Sequence, residues 1–139
     1  MINSQTRNKK DQKQDLTKNQ KIVLDLLRSS GEPLKAYSIL DSLKKEGLKS
    51  PLQIYRALDK LVELGRIHKI ESKNSFIVCS NSNCASNTIF TICERCDKVK
   101  ELKNNNLAES MGQLINKYGQ DVSRYNLEFY ALCKNCKSN

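Results

Sequence analysis

The chain contains one histidine, His68, and that scarcity excludes more chemistry than any other feature of its 139 residues. Without a second imidazole, no histidine is left to pair with another as base or nucleophile. There is no glycine-rich phosphate loop, with five glycines in all. No apolar run approaches the length of a membrane helix, and the polar N-terminus lacks the apolar stretch of an export signal. These absences argue against an enzyme and a membrane partner, and the expected location is cytoplasmic. Hydrophobic residues make up 38% of the chain, which limits the core and calls for further fastening by metal or oligomerisation.

Against these absences stand six cysteines. In a chain without an export signal they are better read as metal or redox ligands than as three disulfides. Cys93-x-x-Cys96 and Cys133-x-x-Cys136 supply four thiolates in two tight turns. A two-residue gap lets one turn present two sulfurs to one ion, and zinc favours a tetrahedron of sulfur. Such a closed set leaves no open position for water, so its role is structural. The 36 residues between the pairs include a whole helical pattern, so the metal fastens a last strand to an early hairpin. Two separate redox dithiols, or two unrelated thiol turns, are the competing readings; the paired spacing favours zinc.

The net charge of +9 is uneven. Residues 1–75 hold 16 basic and 9 acidic side chains, and residues 76–139 hold 8 and 6. A basic surplus in one half points to a polyanion, most simply nucleic acid. Residues 1–15, with Arg7, Lys9, Lys10 and Lys13, read as a flexible basic tail. Thr17 and Gln20 have capping-box spacing before a helix with Ile22, Val23, Leu26 and Leu27 on one face. A second helix is expected over 35–45, with Ala36, Ile39, Leu40 and Leu43 inward and Gly47 ending it. A third follows, with Ser50 as N-cap, Pro51 at the first position and a stripe of Ile54, Leu58, Leu61 and Val62. Helix, short turn, helix is a DNA-reading arrangement whose second helix enters the major groove.

Its outer face carries Gln53, Tyr55, Arg56, Asp59 and Lys60. Arg56 can hold guanine or phosphate, and the Tyr55 ring can pack on thymine methyls. Residues 66–70 and 75–79 alternate as two strands about Ser72-Lys73-Asn74, the pattern of a wing, from which Lys69 and Lys73 can reach phosphates. Strands are expected over 89–93, 99–102 and 125–132. Leu107, Met111, Leu114, Ile115 and Tyr118 form one helical face. The expected fold is thus α+β: a winged helix-turn-helix domain over 16–79, a hinge loop over 80–87, and a small α/β zinc-binding domain over 88–139. His68, Cys79, Cys84 and Glu101 remain as candidates for a second metal site drawn from both halves. Such a site binds only in one relative pose, which is what a switch requires.

Several runs together resemble the ferric uptake regulator family, and within it the zinc uptake regulators. They are Leu16-Thr17, Ala36-Tyr37-Ser38-Ile39-Leu40-Asp41, Ile54-Tyr55-Arg56-Ala57-Leu58-Asp59, residues 65–72 (GRIHKIES), Phe76-Ile77-Val78-Cys79, and the two cysteine pairs. The resemblance covers about residues 16–136. It implies a homodimer joined through the C-terminal domain, with one structural and one regulatory zinc per chain. It also implies a repressor of zinc-uptake genes bound to double-stranded DNA at AT-rich palindromes, with Tyr55 and Arg56 touching bases. His68, Cys79 and Glu101 match three regulatory ligands. The family's fourth, a histidine, is replaced here by Ser86 and Asn87, and Cys84 is the ligand expected in its place, with water as the alternative. Iron sensors of the family rely on several histidines and carboxylates, which one histidine cannot furnish. An iron- or redox-responsive regulator of the same fold, or a zinc-stabilised nucleic-acid-binding module without a sensing role, are the alternatives.

Overall fold

The computed structural model describes residues 15–79, 88–103 and 105–138. The expected tail over 1–14, the hinge loop with Cys84, and the positions Ser86 and Asn87 lie outside the described residues.

Helix α1 (Lys18–Ser30) begins with the expected capping box. Thr17 Oγ1 accepts from the Gln20 amide at 3.2 Å, and Gln20 Oε1 accepts from the Thr17 amide at 3.0 Å. It ends at Gly31, whose φ of 65° is a left-handed cap that suits glycine. A two-residue strand, β1 (Leu34–Lys35), precedes α2 (Ala36–Leu43); a 3-10 turn over Lys44–Glu46 runs on to Gly47. Helix α3 (Pro51–Glu63) has proline in its first turn as expected, but Ser50 makes no side-chain cap bond.

Its buried stripe is Ile54, Ala57, Leu58 and Leu61, while Val62 is 38% exposed. At 100° per residue Val62 lies roughly 90° from the stripe's centre, so Ala57 takes the place expected for it. The three helices share one core, centred on Val23, Leu27, Ile39, Leu58 and Leu61 and closed by Ile67 and Phe76 from the wing.

Strands β2 (Ile67–Ile70) and β3 (Ser75–Val78) form the wing, with β1 on the other edge of β3. The turn between them, Glu71–Lys73, closes on Asn74 with φ 46°, a conformation asparagine tolerates. A second sheet has β4 (Thr88–Cys93) in its centre, antiparallel to β5 (Val99–Leu102) and parallel to β6 (Asn126–Ala131). Thr88 starts the parallel pair, its amide donating to Tyr125 O at 3.2 Å and its hydroxyl to Asn126 Oδ1 at 2.7 Å. Helices α4 (Asn105–Asn116) and α5 (Lys134–Lys137) complete the order.

Alternation along a strand divides this second sheet into two faces. Phe90 stands opposite both Glu101 and Glu128, and Ile92 opposite Val99 and Tyr130, so these six share one face. The wing covers it: Ile70 packs with Phe90 and Ile92, flanked by Ile77 and Val99. Helix α4 departs from expectation. Leu107, Met111 and Ile115 are half-buried, whereas Leu114 is 49% and Tyr118 80% exposed. The Leu114 and Tyr118 edge of its apolar stripe is left uncovered by the described residues.

Leu58→Ala should lower the free energy of unfolding by about 2–5 kcal/mol, since it empties a fully buried site. Leu52→Ala, on the exposed start of the same helix, should stay within about 0.5 kcal/mol. Urea titration of both variants checks the contrast.

Candidate metal centre and nucleic-acid interface

Parallel pairing of β4 with β6 carries the C-terminal ends of both strands to the same edge of the sheet. Each end opens into a Cys-x-x-Cys turn. After Cys93 the chain reverses through a turn in which the Asp97 amide donates to Cys93 O at 3.0 Å. The reversal needs Asp97 in the left-handed region, at φ 61°, which aspartate enters more readily than most residues. Beside it, the Glu94 amide donates to Ala131 O at 2.8 Å, tying the first turn to the end of β6. Cys133 then caps the one-turn helix α5, which brings Cys136 round, and Arg95 Nη1 donates to Cys136 O at 3.0 Å.

The ligand atoms of Cys93, Cys96, Cys133 and Cys136 all lie within 4.8 Å of one another, and Cys96 Sγ is 3.6 Å from Cys133 Sγ. A tetrahedron with metal–sulfur bonds of about 2.3 Å places its sulfurs about 3.8 Å apart. The set fits a zinc ion in size and in donor chemistry. Its protonation is uneven. The Cys133 amide, donating to Cys93 Sγ at 3.4 Å, and then the Cys96 amide bring the Cys93 thiol down to about 6. Cys136 is pushed up to about 12, first by its hydrogen bond to the Cys133 side chain and then by burial. A bound dication lets four sulfurs carry charge together, which they resist alone.

The second set is partly assembled. His68 on β2 and Glu101 on β5 approach across the seam, Nε2 to Oε1 at 3.6 Å, with side chains 7% and 17% exposed. The imidazole meets the edge of Phe90 at a ring-centroid distance of 5.7 Å. Burial lowers the His68 pKa, and the Glu101 carboxylate opposes the change. A nitrogen and an oxygen bound tetrahedrally to one zinc stand about 3.4 Å apart, so this pair has ligand spacing. Cys79 follows β3, its amide donating to Arg66 O at 3.0 Å. It is disulfide-bonded in this structure, and ligation through its sulfur requires reduction. Cys84 lies outside the described residues.

On α3, Gln53, Tyr55 and Arg56 project outward, with Tyr55 44% exposed. Lys60 is half-buried and bonds Glu63 at 3.4 Å. Lys69 pairs with Glu71 at 3.4 Å, and Lys73 with Asp97 at 2.9 Å. Tyr37, 71% exposed near the start of α2, and Leu52, 57% exposed, add apolar surface to the three-helix domain that helical spacing did not flag. Asp97 and Glu128, which grip the wing turn, were also missed. No local pattern announces a contact between positions 56 residues apart, such as Ser72 and Glu128.

Residues 12–130 match the ferric uptake regulator family. The chain is 35% identical over 116 residues to the zinc uptake regulation protein of Escherichia coli (strain K12), covering 82% of this chain and 68% of that one. It resembles the crystal structure of holo XcZur, with a TM-score of 0.81 and 34% identity over 89% of this chain and 87% of that one. It also resembles a zinc uptake regulator complexed with zinc and DNA, with a TM-score of 0.82 and 32% identity over 89% and 84%.

Cys133→Ser should abolish the tightly held metal and lower stability by about 4 kcal/mol or more, the range for loss of a structural ion. Metal analysis of the purified variant and its thermal midpoint check this.

Proposed function

The chain belongs to the ferric uptake regulator family, and from that premise we propose a zinc-responsive DNA-binding repressor of zinc-uptake genes. The observation that carries the proposal is the pairing of buried His68 with half-buried Glu101. One stands on the wing of the reading domain and the other on the second sheet. A ligand set split in this way favours the single pose that brings its members together. Cys79, once reduced, and Cys84 complete the sensing set in this reading, and Cys93, Cys96, Cys133 and Cys136 hold the structural ion. Zinc at the seam supplies a positive charge that offsets the Glu101 carboxylate and the thiolates.

In that pose Tyr55 and Arg56 read base edges from α3, with Gln53 beside them and Lys60 and Lys69 near phosphates. Two copies of the chain then bind an AT-rich palindrome as a symmetric pair. The surface for this pairing is the free edge of β6 with the uncovered stripe of α4. There Phe129, Leu114 and Tyr118 are 47%, 49% and 80% exposed, an apolar face of the kind a second subunit covers. No helix among the described residues is long and apolar enough to cross a membrane. A repressor of this kind acts in the cytoplasm, on double-stranded DNA.

Metal counting coupled to DNA binding tests the function. Two zinc ions per chain are expected, one removed by mild chelation together with sequence-specific binding. His68→Ala should lose the removable ion and DNA binding while keeping the tight one; a single zinc with metal-independent binding would overturn the sensor. Arg56→Ala should weaken specific binding by about 1–3 kcal/mol with little change on random duplex. Equal losses on both would make Arg56 a phosphate contact.

A further inference from the structure

The wing turn is gripped by two carboxylates that play no part in ligating either proposed metal. Lys73 Nζ lies 2.9 Å from Asp97 Oδ1. One residue earlier, the Ser72 amide donates to Glu128, at 3.1 Å to Oε2 and 3.5 Å to Oε1. The carboxylates come from different elements. Asp97 sits in the reversal of the first cysteine turn, where its own amide is bonded to Cys93 O. Glu128 lies on β6, the strand that leads to the second cysteine pair, on the face that also carries Phe90 and Tyr130. Both elements end at the thiolate cluster.

The wing is a short hairpin, so fixing its turn also fixes its strands. His68 lies in β2, four residues before Ser72. A turn held against Asp97 and Glu128, with Ile70 packed on Phe90 and Ile92 between, leaves His68 little freedom to leave Glu101. Lys73 has one ammonium, and a phosphate would compete with Asp97 for it. Each contact alone is modest because Lys73 and Asp97 remain 36% and 70% exposed. They act on one turn together with an apolar seam, which makes their effects on pose cumulative.

We propose that Asp97 and Glu128 are positioning residues that latch the wing turn, with Lys73 as the latched group and not a phosphate contact. Through them the four-thiolate centre sets the pose of the reading domain, alongside the sensing site. The proposal rests on the DNA-reading function above, and its test separates the two.

Binding to a duplex selected by the wild-type chain from a randomised pool is measured at saturating zinc. The variants are Lys73→Glu, Asp97→Lys and the charge-swapped double variant. Each single change should weaken binding about threefold to tenfold, and the double should return to within about twofold of wild type. Tighter binding by Asp97→Lys with no recovery in the double would make Lys73 a phosphate contact and overturn the latch, as would unchanged binding by both single variants. A second measurement needs no DNA: amide exchange at Ser72 in the chain carrying only its tightly held metal. Glu128→Ala, away from the sulfurs, should speed that exchange about tenfold or more, and an unchanged rate would overturn the latch. A wild-type chain that selects no duplex defeats the DNA reading and leaves the latch to be judged on Ser72.

Discussion

The arrangement depends on one apolar contact, that of Ile70 with Phe90 and Ile92. All three are fully buried or nearly so, and burying such side chains stabilises by about 1.5–3 kcal/mol each. The contact joins the wing to the second sheet. Polar groups at the same seam lean on it. His68 meets Glu101 in a setting dry enough to lower the imidazole's pKa, and the turn residues reach carboxylates on either side. Without the apolar contact, these separate polar interactions would be screened by water and would hold no fixed pose.

The second sheet serves as a shared wall. Because side chains alternate, Phe90, Ile92, Glu101, Glu128 and Tyr130 serve the wing while the intervening positions serve the other face. The parallel partnership of β4 and β6 does a second task by placing both cysteine turns at one edge. An antiparallel pairing would have sent them to opposite ends, and no common ion could have joined them. One topological choice thus supplies the clamp and orients the face that receives the wing.

Much of this was legible because it is local. Thr17 and Gln20 announced a helix start, Pro51 another, and Cys-x-x-Cys spacing announced a turn that gathers sulfur. Helical periodicity named most of the core, though it placed Val62 inside, where Ala57 sits. It also found the apolar stripe of α4 without showing that Leu114 and Tyr118 are left exposed by the described residues. Periodicity records that a face is apolar and says nothing of what lies against it. The meeting of His68 with Glu101 had only weak support from spacing and most of its support from family resemblance. A basic residue on a wing, such as Lys73, reads as facing solvent. Its partner in a distant reversal, Asp97, depends on how two sheets dock, and no local signal encodes that.

The single histidine, buried where the two halves meet, gives the molecule a built-in reporter. In a proton–nitrogen spectrum its ring contributes one set of imidazole resonances, with no other histidine to overlap or assign. That set reports tautomer, protonation and nitrogen ligation at the seam. It also senses the ring current of Phe90, 5.7 Å away, which changes if the wing swings off the sheet. Occupancy and domain pose can therefore be followed on one residue of nitrogen-15-enriched protein, with no attached probe and without disturbing the thiols.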